Sequence, residues 1–111
     1  VELWGTGKPI REWLYVKDGA KALINSINLD SGHHFFNVGV EKGISILDLA
    51  EIIKEKFGWD GKFVLDTSKP DGVPEKMVDG TLGVEKLNWK PETNLVDGIQ
   101  TTVDWYINKH D

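Results

Sequence analysis

The sequence predicts a small mixed α/β lobe, with short strands and about four helices. Three observations lead there. The 111 residues suit one domain. Short β-branched and aromatic runs are interleaved with segments whose apolar residues recur at helical spacing. No strand-like run leads into a glycine-rich turn and helix, so a complete dinucleotide-binding sheet is not expected.

Residues 1–4, V-E-L-W, read as a short strand, and G-T-G-K-P after them as a turn. Residues 10–16, I-R-E-W-L-Y-V, alternate closely enough to predict a second strand. Asp18 is then a fitting N-cap for a helix to about residue 28, where Ala20, Leu23, Ile24 and Ile27 recur at helical spacing. A loop at 29–34 precedes F-F-N-V-G-V, a strand by composition. Ser45 opens the clearest helix. Asp48 stands three residues on, Ile46, Leu49, Ala50, Ile53 and Phe57 form one stripe, and Gly58 closes it. Residues 62–66 read as a strand, and 77–79 as a strand end. A short helix is expected over 81–89 with Val84 and Leu87 inward. A final helix runs from Leu95 to about Lys109, with Leu95 or Val96, Ile99, Val103 and Tyr106 inward.

Composition narrows the function. Apolar residues are 40% and charged residues 28%, which suits a folded chain. Thirteen basic against 18 acidic residues give a net charge of −5, which argues against nucleic acid as a partner. It leaves room for a local basic pocket. Without cysteine there is no disulfide, zinc-thiolate or thiol chemistry, and a reducing cytoplasm is the expected location. No run is long enough to span a membrane, and no signal peptide is visible. The chain lacks an initiating Met and opens in a strand, so a piece of a longer protein is expected.

His33, His34 and His110 form no recognisable triad, and scattered carboxylates beside two neighbouring histidines do not make a metal site. Solvated surface is the expectation for His33 and His34. Arg11 sits between a G-x-G-x-P turn and the Asp18 helix. It is either an ordinary ion-paired strand residue or a planar fork reaching two phosphate oxygens. Residues 66–76, D-T-S-K-P-D-G-V-P-E-K, form a stiff loop in which Pro70 presets a turn and Lys69 and Lys76 flank it. The lysines are either solvated or held ready for a diphosphate, since a preordered loop lowers the entropy cost of binding. Of five tryptophans most are expected in the core or at its edge. Trp4, beside the glycine turn, is the one placed to meet a ligand.

These segments resemble a known pattern. W-G-T-G-K-P-I-R-E-W-L-Y-V-K-D-G-A is similar to W-G-[ST]-G-x-P-x-R-E-[FW]-x-x-V-x-D-x-A, and D-T-S-K-P-D-G-V-P-E-K-M-V-D to D-x-[ST]-K-P-D-G-x-P-x-K-x-x-D. Both belong to the GDP-L-fucose synthase branch of the extended short-chain dehydrogenase/reductases, the NAD-dependent epimerase/dehydratase family. The resemblance implies that residues 1–111 are the C-terminal substrate lobe of such an enzyme, with the N-terminal Rossmann domain absent from this chain. It implies that Arg11 holds the diphosphate of a nucleotide-sugar, that Lys69 or Lys76 adds charge there, and that Trp4 lines the pocket. Asp79 is expected to cap the helix after it. No catalytic residue or cofactor site is expected within the chain; NAD(P) and the Ser, Tyr and Lys set would lie upstream. Glu75 stands where fucose synthases commonly carry a basic residue. The same lobe of a UDP-sugar 4-epimerase or sugar-nucleotide dehydratase, and a stand-alone binding module, remain alternatives. The fragment is expected to be monomeric.

Overall fold

A computed structural model describes residues 1–110. Four helices and five short strands follow in the order β1 (Glu2–Trp4), β2 (Ile10–Glu12), α1 (Val16–Ser26), β3 (Gly43–Ser45), α2 (Ile46–Phe57), β4 (Val64–Asp66), β5 (Glu75–Lys76), α3 (Thr81–Leu87) and α4 (Leu95–His110). β1 pairs with β4 in parallel. β2 is the centre of a second sheet, antiparallel to β3 and parallel to β5.

The mixed α/β expectation holds, and α2 is the element that local signals define best. Ser45 Oγ accepts from the Asp48 N–H at 3.0 Å, satisfying one of the first-turn donors. Gly58 closes the helix at φ +64°, a left-handed position.

Elsewhere the structure corrects the local reading. The second strand stops at Glu12, and α1 starts at Val16 with Tyr15 as its N-cap. Asp18 therefore lies inside the first turn. Its carboxylate is only 1% exposed and faces away from its own helix: Oδ2 accepts from the N–H groups of Thr93 at 2.8 Å and Glu92 at 3.2 Å. It ties the start of α1 to the turn before α4. Residues 35–40 take no strand assignment, because a strand needs a hydrogen-bonded neighbour and none pairs with them among the described residues. The strand expected at 77–79 falls two residues earlier, at Glu75–Lys76, where it can pair with β2. α3 ends at Leu87, with Asn88 left-handed at φ +44°.

The core is thin. Ala22, Leu87 and Trp89 form its buried centre, flanked by Leu14, Leu29, Phe36 and Val38, and Val103 is buried on α4. Leu87 and Val103 thus point inward as expected, while Val84 and Tyr106 stay substantially exposed. Trp4, Trp13, Trp59 and Trp105 are exposed too, leaving Trp89 as the one core tryptophan of five. Helix α1 and its C-cap carry Val16, Ala20, Leu23, Ile24 and Ile27 on one stripe, and all of these are exposed. The molecule measures 51 × 36 × 18 Å with a radius of gyration of 16.7 Å. A compact domain of this length has about 13 Å, so the lobe is a flat slab.

Candidate diphosphate-binding surface

The G-T-G turn and the 66–76 loop are locked together. Asp71 Oδ1 accepts from the Thr6 N–H and Oδ2 from the Thr6 hydroxyl, both at 2.6 Å. Gly5 makes this possible: its φ is +79°, and a Cβ there would lie 2.2 Å from Asp71 Oδ1. The Thr6 hydroxyl and amide, with Lys8 nearby, hold the Asp71 carboxyl below the usual carboxylate range. The sequence marks Asp71 as part of the K-P-D-G turn motif but not its role, because its partner is 65 residues away. The start of the loop is fixed as well, where Asp66 accepts from the Ser68 N–H and hydroxyl.

Arg11 lies on β2 and reaches the same loop. Its Nη2 donates to the Val73 carbonyl at 3.0 Å and Nη1 to its own neighbour Ile10 at 2.7 Å. Two of five guanidinium N–H groups are thereby used, and three have no partner among the described residues. In the parallel ladder Arg11 is the register partner of Lys76, and Ile10 of Glu75. Paired residues share a face and neighbours alternate, so Arg11 and Lys76 stand together while Glu75 belongs to the opposite face. The carboxylate that departs from the fucose-synthase pattern is thus turned away from Lys76.

Lys69 sits at the other end of the loop. Its Nζ lies 5.4 Å from the centre of the Trp4 ring, within cation–π range. Trp4 is 68% exposed, and its indole N–H donates to Glu2 at 3.0 Å. The four residues therefore form two pairs, Arg11 with Lys76 and Lys69 with Trp4, joined by one stiff loop. Among the described residues no carboxylate oxygen comes within 4 Å of the charged nitrogens of Arg11, Lys69 or Lys76. These cations are unneutralised in a chain of net negative charge. An apolar groove of about 500 Å³ opens elsewhere, between α2, α4 and residues 13–16, and none of the four lines it. His33 and His34 are exposed, and His34 Nε2 contacts the Asp30 carbonyl at 2.7 Å. Asp79 accepts from the Thr81 N–H at 3.0 Å at the start of α3, next to Gly80 at the N-cap position.

Residues 1–39 match the NAD dependent epimerase/dehydratase family. Solved structures agree across the whole lobe. A UDP-glucose 4-epimerase from Thermotoga maritima, solved with UDP-glucose, superposes with a TM-score of 0.91 at 27% identity, covering 100% of this chain and 36% of that one. The chain's sequence is similar to GDP-L-fucose synthases. It is 43% identical over 107 residues to a probable GDP-L-fucose synthase 1 of Oryza sativa subsp. japonica, covering 96% of this chain and 32% of the relative. It is 35% identical over 122 aligned positions to the GDP-L-fucose synthase of Escherichia coli, covering 100% of this chain and 37% of that protein. A GDP-L-fucose synthetase from Naegleria fowleri, bound to NADP, superposes with a TM-score of 0.89 at 29% identity over 98% of this chain and 35% of that one. The chain spans about a third of the length of the curated relatives it matches.

Proposed function

We propose that this chain is the substrate lobe of a nucleotide-sugar epimerase/reductase resembling GDP-L-fucose synthase. Its task is to hold the diphosphate of the nucleotide-sugar. The observation that carries the reading is Arg11: a guanidinium anchored to a loop carbonyl, with open N–H groups, no carboxylate partner among the described residues, and Lys76 in register beside it. A planar fork beside an ammonium suits two linked phosphates. Lys69 and Trp4 would extend the surface toward the rest of the nucleotide, by charge and by ring contact. Asp71 keeps both sides of the surface in fixed relation, which lowers the ordering cost of binding.

In this reading the lobe works with a second, dinucleotide-binding lobe outside the chain, which would hold NAD(P). The parent reaction would be epimerisation and reduction of a GDP-4-keto-6-deoxymannose to GDP-L-fucose. This lobe supplies positioning, which lowers a barrier without taking part in bond changes. Two features support a larger assembly. The apolar stripe of α1 and its C-cap leaves Val16, Leu23, Ile24 and Ile27 in water, and Trp4, Trp13 and Trp105 are exposed as well. Both are apolar surfaces that proteins ordinarily cover.

A second reading, the same lobe of a UDP-sugar 4-epimerase, is favoured by the superposition on the Thermotoga maritima enzyme. Titrating the chain with GDP-mannose and with UDP-glucose while following amide shifts separates the two. Weak binding with shifts at Arg11 and in the 69–76 loop is expected, stronger for the GDP-sugar. Shifts confined to other parts of the lobe, or an Arg11→Ala variant that binds as well as the unaltered chain, would refute the diphosphate surface.

A further inference from the structure

Arg11 and Lys76 are brought together by a ladder of only two residue pairs, Ile10 with Glu75 and Arg11 with Lys76. So short a parallel ladder is weak by itself. The next side chain on β2, Glu12, points to the face opposite Arg11 and is half-buried. Among the described residues its carboxylate meets backbone and forms no ion pair. Oε1 accepts from the Val78 N–H at 3.3 Å, and Oε2 from the Glu41 N–H at 3.1 Å. Gly39 leaves room for it: a Cβ there would come within 2.7 Å of Oε1 and 3.0 Å of Oε2.

Val78 lies two residues past Lys76, where the ladder has ended. The Glu12 side chain thus continues by carboxylate what the backbone pairing no longer does. It also grips the 39–41 segment. Glu41 in turn accepts from the Gly80 N–H at 2.8 Å, so the run leaving β5 is held at two successive points. Loss of Glu12 would free the far end of β5, the end that carries Lys76.

We propose that Glu12 is a positioning residue of the diphosphate surface: by clamping Val78 and Glu41 behind the sheet it holds Lys76 beside Arg11 in front. The inference rests on the binding role proposed for Arg11 and Lys76.

The test is a double-mutant cycle on GDP binding by the chain, using Glu12→Gln, Lys76→Ala and the pair, with affinity read from amide shifts. Glu12→Gln keeps size and shape but presents an NH₂ to one of the two N–H donors. It should weaken GDP binding about tenfold, the order expected for losing a charge-assisted bond. In the Lys76→Ala background the same change should cost less than about twofold, because the residue it positions is gone. Additive effects would mean general structural support and overturn the proposal, as would unchanged affinity. Should the Gln variant lose its dispersed amide spectrum, Glu12→Asp, a carboxylate too short to reach both amides, is read in its place. Loss of the fold in both would assign Glu12 to overall stability and equally overturn it. Binding that depends on Arg11 but not on Glu12 refutes the clamp alone; failure of the unaltered chain to bind GDP overturns both.

Discussion

Replacing Asp18 by Asn gives a stability change that can be worked from the geometry. The carboxylate is buried, and one of its oxygens takes both the Thr93 and Glu92 N–H groups. The amide oxygen of Asn can occupy the same place, so both bonds survive in geometry and lose their charge. Hydrogen bonds to a charged group contribute about 1.5–3 kcal/mol and neutral ones about 1, so two weakened bonds cost about 2 kcal/mol. The 3.2 Å bond from Glu92 is the weaker, and most of the loss falls at Thr93. For a lobe of this size that corresponds to a midpoint lowered by about 10 °C. Burial pushes the Asp18 carboxyl up, but the bonds from Thr93 and Glu92, with Lys21 nearby, outweigh it and leave it below the ordinary range. The stabilisation is therefore complete above the unfolded-chain value of about 4, and is lost as pH falls through the lower folded value. Urea unfolding of both proteins at pH 7 and through the acid range measures this. The curves should converge in acid. A variant within about 0.5 kcal/mol of the unaltered chain at pH 7 would refute the reasoning.

Other changes have distinct expected outcomes. Asp71→Asn should loosen the 66–76 loop, seen as faster amide exchange at residues 67–73, and acid should loosen the unaltered loop the same way because this carboxyl is held low by Thr6. Exchange that stays slow in the variant would show the loop held by other contacts. Gly58→Ala meets no neighbouring atom but places a side chain at φ +64°, so it should cost about 1 kcal/mol from backbone strain alone in thermal unfolding. No loss would mean that α2 ends differently. Ile27→Lys on the exposed stripe of α1 should leave the stability of the chain within about 0.5 kcal/mol by the same assay. A large loss would mean that Ile27 is covered in solution.

Parts of the fold were legible because their causes are local. Ser45, Asp48 and Gly58 lie within α2 or at its ends, and each makes the contact its type favours. The 66–76 loop likewise declares itself through Pro70 and Gly72. What escaped depends on distant partners. Asp18 has the chemistry of an N-cap, but its acceptor oxygen serves amides 74 and 75 residues away. F-F-N-V-G-V has strand composition, yet a strand exists only with a neighbour, and pairing is not encoded in the run itself. On α1 the apolar periodicity was visible, but periodicity names a face without saying what covers it. At the candidate surface, Trp4, Arg11, Lys69 and Lys76 stood out by residue type and by motif. Asp71 and Glu12 lie at fixed positions of the same motifs, but their roles were not legible, because their contributions are bonds to backbone far along the chain.

The most direct measurement compares the affinity of the chain for GDP with its affinity for guanosine, in the unaltered protein and in Arg11→Ala. The phosphates should supply most of the binding, giving GDP an advantage of about tenfold or more that shrinks when Arg11 is removed. Equal affinity for the two ligands, or an advantage untouched by the Arg11 change, would contradict a diphosphate grip at this surface.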